Sequence, residues 1–318
     1  MPKSGTNMVH TLPKKSWWLR NKRNILGNWD LYLLVLPTFA YFVIFAYIPM
    51  YGIQIAFRDY MPSLGFWNSP WVGLKHFIAF FNAYQFKQIL LNTLSLSLYS
   101  LAVGFPLPII CSLLLNQIPS LRFKRIVQTV TYAPNFISLI VAVGMLMAFL
   151  APGYGVINKL VVALGGDSVN FMAKPQYFGS IYVWSGMWQG LGISMIIYIA
   201  ALTGVDPELH SAAMIDGASK FKRMLHIDIP SIMPTVTVLL ILSVGNIMSV
   251  GFEKVYLMQN TLNLTSSEVI ATYVYKIGLL KMQYSYSAAI GIFNSVINCV
   301  LLVIVNTAAR AMGESSLW

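Results

Sequence analysis

The hydrophobic positions of this chain come in long unbroken runs rather than in alternation. Between charged residues lie six long gaps, at 31–57, 88–121, 126–158, 175–205, 229–252 and 282–309. Each is longer than the roughly 20 residues that cross a bilayer as helix. The next gap, 60–74, is too short and carries Pro62, Gly65, Asn68 and Pro70. Backbone groups in lipid must satisfy one another, and the runs lack the pattern of barrel strands, so six membrane-spanning helices are expected. Outside them, WVGLKHFIAFF at 71–81 spaces its aromatics for a helix lying along an interface, with Trp67 and Trp71 suited to the headgroup layer. VINKLVVAL at 156–164 sits between PGYG and GGD turns and is too short to cross. Residues 253–281 predict a loop and then a short helix from Ser266 or Ser267.

With 57% hydrophobic and 10% charged residues, the chain reads as an all-α integral membrane protein rather than a soluble domain. Lys and Arg orient the spans. Thirteen fall in the N-terminal segment, the 122–125 turn, the 220–223 cluster and the C-terminal tail, against eight in the other three connections. Both termini and the 206–230 segment are therefore expected in the cytoplasm. That divides the chain into a basic tail (1–30), a six-span domain (31–309) and a C-terminal tail (310–318). The net charge of +11 follows largely from this topology and needs no nucleic acid; the basic tail could also rest on anionic lipid. A signal peptide is the wrong reading of the N-terminus, because the run from Leu31 is too long and no small-x-small site precedes Arg58. Cys111 and Cys299 fall inside spans as small apolar residues and imply neither metal nor disulfide. The Asn263-Leu264-Thr265 sequon reads as chance, and no internal repeat is evident.

No catalytic constellation is present. The chain has no Gly-rich loop ending in Gly-Lys-Ser/Thr, no HExxH and no GxSxG, and His10, His76, His210 and His226 are scattered. The six runs place no charge in the bilayer core, whereas ion-coupled carriers usually bury at least one. Energy for any transport is then expected from outside the chain.

The polar island SAAMIDGASKFKRMLHIDIP at 211–230 is the most specific feature. Asp206 as N-cap, Pro207 at the first helical position and Glu208 near the positive end of the dipole start a helix. It runs through Leu209, Ala212, Ala213 and Ile215 to Asp216, and Gly217 supplies the left-handed residue that ends it. A second helix starts at Ser219, exposes Lys220, Lys222 and Arg223, turns Phe221, Leu225 and Ile229 inward, and stops before Pro230. Composition alone leaves a solvated loop open. DNA recognition is disfavoured because the element is hemmed between spans. A rigid helix-turn-helix with small residues on its face suits docking to a partner.

SAAMIDGASKFKRMLHIDIPSIMP resembles the cytoplasmic signature loop of binding-protein-dependent ABC importer permeases, with Ala212, Ala213, Asp216, Gly217, Ala218, Ile227, Pro230 and Pro234 on its pattern. Ser211 departs from it, since the family usually has Glu there, and Glu208 stands one turn earlier. Leu91-Asn92-Thr93-Leu94, Ala133-Pro134, Gly155-Val156-Ile157-Asn158, TYVYKIGLLKMQYSYSAAIG and the terminal SSLW resemble the subfamily serving polysaccharide and complex-oligosaccharide importers, similar to alginate and maltose importer permeases. The resemblance implies the six-helix, type I (MetI-like) permease fold in a bacterial inner membrane and no catalytic residue. It also implies that the loop is a coupling helix seated in an ATPase subunit. The implied partners are a second homologous permease, an ATPase dimer that holds ATP and Mg, and an extracytoplasmic binding protein delivering an oligosaccharide. No cofactor or metal is expected in this chain. A secondary carrier or channel for a small polar solute, or a non-transporting membrane scaffold, is the alternative.

For a sugar path, aromatics and neutral hydrogen bonders are the natural lining. Trp184, Trp188 and Gln189 in span four, and Ser243, Asn246 and Ser249 in span five, are candidates. Similarity to the maltose importer's permease adds Gly190 and Ile193 and again marks Gln189 and Asn246. The bland reading is that such Trp residues anchor at the interface and Asn or Ser joins helices.

Overall fold

The computed structural model describes residues 27–318. Lys3, Lys14, Lys15, Arg20, Lys22 and Arg23 of the basic tail lie outside the described residues. The chain divides between Gln54 and Ile55. The first unit holds a helix, Trp29–Phe42, that continues through a π-helical stretch, Val43–Tyr47, into Ile48–Met50.

The second unit is helical, with one isolated β-bridge, Arg58 to Trp71, among the described residues. The second span is a 31-residue run, Phe86–Asn116, and the fourth, fifth and sixth are Pro175–Thr203, Lys220–Gly245 and Tyr284–Ala311. Span four is the hub. It packs against the second span, the broken third and the fifth. With no hydrophobic force between helices in lipid, close packing and hydrogen bonds hold them together. Gly192 and Gly245 serve the packing: a methyl group on Gly192 would strike the backbone of Thr131, and one on Gly245 would strike Leu302.

The third span departs from expectation. Instead of one helix over 126–158, Leu121–Phe136 and Leu139–Leu150 meet at 99°. Pro134 lacks the N–H an α-helix would use, so the chain tightens into a 3-10 turn at Ala133–Phe136 and Ile137 becomes extended. Ser138 then caps the next helix, accepting from Val141 N. Among the described residues five helices are thus long and apolar enough to cross, six if the bent pair counts as one span.

Span five differs too. Its helix does not stop before Pro230 but passes through Pro230 and Pro234 as one 26-residue run. A π-helical stretch, Met224–Asp228, ends one residue short of Pro230, with Ile229 between, and rearranges the backbone bonds that the ring would break.

The non-spanning segments pack as short helices against the spans. The expected 71–81 helix is present as Lys75–Phe81, which buries Phe80. Asp59 receives Lys75 Nζ at 2.6 Å and lies 3.0 Å from His76 Nε2; the Lys75 hydrogen bond is the main reason its carboxyl sits below the usual range. Val156–Ala163 is helical, and the buried Asn158 side chain donates to Leu150, Ala151 and Val169 carbonyls at 2.9–3.0 Å while accepting from Val169 N. In the last connection an unexpected helix, Phe252–Met258, precedes the loop, Leu264–Ser267 makes one turn, and the next helix starts at Ile270, a few residues later than expected. Span two decides that start, because Thr93 Oγ1 accepts from Ile270 N at 2.9 Å and Asn92 donates to Thr265 and Glu268 carbonyls. Asn263 is 1% exposed and donates to Met172 and Met258 carbonyls, so the sequon side chain is committed to packing.

Candidate functional site

The loop between spans four and five is built as its residues dictate. Asp206 Oδ1 accepts from Glu208 N at 2.9 Å, Pro207 begins the helix Pro207–Ile215, and Gly217 turns at φ +73°. Ala218 N closes the C-cap on Ala213 O at 2.9 Å. Ser219 caps Lys220–Arg223 by accepting from Lys222 N. Ser211, Ala212 and Asp216 are exposed, as are Glu208 and Gly217, while Ala213 and Ala218 are half-buried. Ser211 Oγ donates to Pro207 O at 3.1 Å, a bond within its own helix.

The second helix is not oriented as its pattern suggests. Phe221 is 66% and Leu225 46% exposed; Ile229 packs inward as expected, and Met224 joins it, beside Leu113, Leu202 and Ile232. The π-stretch at Met224–Asp228 puts an extra residue in the turn and so shifts the inward face from Leu225 onward. Pro230 and Pro234 stay exposed on the span that continues from it.

Asp228 was not singled out by sequence, yet it is the anchor of the loop. Its side chain is fully buried, accepts from Gln117 Nε2 of span two at 2.8 Å, and lies 3.2 Å from His210 Nε2 of the loop's first helix. Oδ1 makes an ion pair in distance without a well-directed hydrogen bond. Three elements meet on one carboxylate. A charge in the polar island reads as solvated, and only the fold places it inside.

The path candidates fall around two cavities on different faces of span four. Trp184, Trp188 and Gln189 line one of about 550 Å³, walled by Leu139, Val143 and Leu146 of the broken span. Gly190, Ser243, Asn246 and Ser249 line another of about 370 Å³, together with Ser97, Ser100 and Tyr182. Ile193 lines neither and is exposed. Gln189 Nε2 donates to Ile137 O at 2.8 Å, satisfying the carbonyl at the break of span three, and Asn246 Nδ2 donates back to Leu242 O. Trp184 Nε1 donates to Tyr99 Oη at 3.0 Å. Asn298 of span six, absent from the sequence candidates, bonds Ser249 Oγ and Met248 N.

Lys254 brings a charge against span four, although it lies outside the charge-free runs of the sequence. Its helix, Phe252–Met258, folds back against the broken span and carries the ammonium to span four. There Nζ donates to Tyr182 O at 2.8 Å and lies 4.9 Å from the Tyr182 ring centroid. Tyr182 is seven residues past Pro175, about 10 Å along the helix. Lys254 also lines the larger cavity.

Among the described residues no group of three or more His, Cys, Asp or Glu could hold a metal ion. The comparisons with known proteins agree with the geometry. The profile described as "Binding-protein-dependent transport system inner membrane component" matches residues 104–314. The chain is similar to a Bacillus subtilis (strain 168) polygalacturonan/rhamnogalacturonan transport system permease protein, 43% identical over 91% of this chain and 90% of that one. It is 41% identical to Protein LplB of the same organism, over 98% and 100%. Among solved structures it resembles a chain of a bacterial alginate ABC transporter in complex with alginate pentasaccharide-bound periplasmic protein, with TM-score 0.87, 36% identity and coverage of 94% and 100%. The fold is thus that of a type I importer permease, and the chain belongs to the family of binding-protein-dependent transport system inner membrane components, which are transport permeases and not enzymes.

Proposed function

We propose that this chain is the permease subunit of an ATP-driven importer of oligosaccharides or polysaccharide fragments. The observation that carries the reading is the 206–230 loop: a rigid, exposed helix-turn-helix whose first helix is tied by His210 and Asp228 to spans two and five. A loop that only linked two spans would need neither the Gly217 turn nor a buried carboxylate beneath it. Push the Pro207–Ile215 helix and the force passes through Asp228 into both spans.

In this reading Glu208, Ser211, Ala212, Ala213, Asp216, Gly217 and Ala218 meet a cytoplasmic ATPase, with Pro230 and Pro234 shaping the span behind them. ATP and Mg belong to the ATPase dimer. A second homologous permease completes the pathway, and both termini are cytoplasmic. Relatives named for polygalacturonan, rhamnogalacturonan and alginate support a glycan substrate, and the alginate transporter's periplasmic protein supports delivery by a binding protein. Trp184 and Trp188 would stack on sugar rings, while Ser243, Asn246 and Ser249 would meet hydroxyls. Gln189 has its amide N–H committed to Ile137, which leaves its oxygen for the path.

Co-purification tests the reading. The wild type should retain its ATPase, and the double variant A213E/G217V, which places a charge on the contact face and a β-branched residue at φ +73°, should lose it. Retention of the ATPase by the double variant would sink the docking assignment. Uptake that persists without ATP would favour a carrier.

A further inference from the structure

We propose that Lys254 recognises a carboxylate in the translocation pathway, and that the glycan carried is therefore anionic, with uronate residues. The inference rests on the importer reading above and names its substrate class.

Lys254 is only 9% exposed. The other lysines in close contact with carboxylates are matched within this chain: Lys75 with Asp59 and Lys276 with Glu268. Among the described residues Lys254 has no carboxylate within ion-pair distance, and the buried Asp228 belongs to His210 and Gln117. An ammonium has three donors, of which Tyr182 O takes one. The Tyr182 ring gives partial compensation by cation–π attraction. A buried charge in a low-dielectric setting costs several kcal/mol unless an opposite charge meets it. Such a cation inside a membrane protein marks a substrate or ion pathway.

The surroundings fit a uronate. Gly186 leaves the space that the ammonium occupies on span four, since a Cβ there would stand 3.0 Å from Nζ. The adjoining cavity presents Trp184 and Trp188, about half exposed and one helical turn apart, with Ser180, Ser185 and Gln189 between apolar walls. A pyranose with a carboxylate on its edge could lay its C–H face on an indole while the anion reaches the ammonium. A fixed acidic partner in the chain would cancel the charge permanently. One unmatched lysine attracts each passing uronate and still lets it leave, as conduction requires.

The test uses the complete importer, with its second permease, ATPase and binding protein, in proteoliposomes. ATP-dependent uptake is measured for an oligogalacturonate and for a neutral arabino-oligosaccharide, in wild type, K254M, K254Q and K254R. The expected result is oligogalacturonate uptake by the wild type, a loss of tenfold or more in K254M and K254Q, and partial retention in K254R. ATPase co-purification should be the same in all four. Equal oligogalacturonate uptake by K254M and wild type overturns the assignment, as does uptake of the neutral glycan alone. Loss of permease pairing in both K254M and K254Q also overturns it, by assigning the ammonium to packing or to a carboxylate of the second permease. ATP-dependent uptake of neither glycan by the wild type counts against the glycan-import reading itself.

Discussion

Asp228 is where a single side chain holds the 206–230 loop to the spans. D228A would leave the Gln117 amide without its acceptor and remove the carboxylate 3.2 Å from His210 Nε2, at a cost of about 1–3 kcal/mol. The thermal midpoint of the purified complex should fall accordingly, and ATP hydrolysis should continue with less uptake per ATP. D228N, which keeps an acceptor for Gln117, should lose less. An unchanged midpoint in D228A would remove Asp228 from the frame. Ser211 is the opposite case. Its hydroxyl bonds only within its own helix, so S211E should leave the midpoint within about 0.5 kcal/mol of wild type. Any change in ATPase retention would then report the contact itself.

Two elements owe their shape to proline. The Met224–Asp228 π-stretch lets the fifth span run through Pro230, and it sets the rotation at which Asp228 faces inward. P230A restores the missing N–H and allows the stretch to relax to α-helix, turning Asp228 by about 100° per residue gained or lost. Uncoupled ATP hydrolysis is the expected result, and tight coupling in P230A would argue that the π-stretch is incidental. The broken third span depends on Pro134 and on Gln189 capping Ile137 O, and its bend lets the Thr131 backbone lie against Gly192. G192A should cost about 1–3 kcal/mol by overpacking, read as a lower midpoint. A neutral G192A would mean that this contact gives way easily. These features were partly legible. Pro134, Pro230 and Gly192 stand in the sequence, but a proline reads there as a stop. Whether the helix breaks or passes through depends on partners elsewhere in the chain.

At the scale of the molecule, two cavities flank span four, one shared with the broken third span and the other with spans two and five. Sequence alone determined the class and most elements, because length, apolarity and charge placement are local properties that the bilayer reads directly. It also determined the local shape of the 206–230 loop: Asp206, Pro207, Gly217 and Ser219 act on neighbours within a few residues, so their caps and turn appear as expected. What only the tertiary structure decided lies in contacts between distant residues. Lys254 sits outside every charge-free run and reaches span four because Phe252–Met258 folds back to it. Asp228 reads as one more charge in a polar loop and becomes buried because Gln117, 111 positions away, and His210 close over it. Trp184 and Asn246 share a predicted path but face separate cavities, since the rotation of span four about its axis is fixed by packing. Burial and pairing belong to three-dimensional neighbours, and no local pattern encodes them.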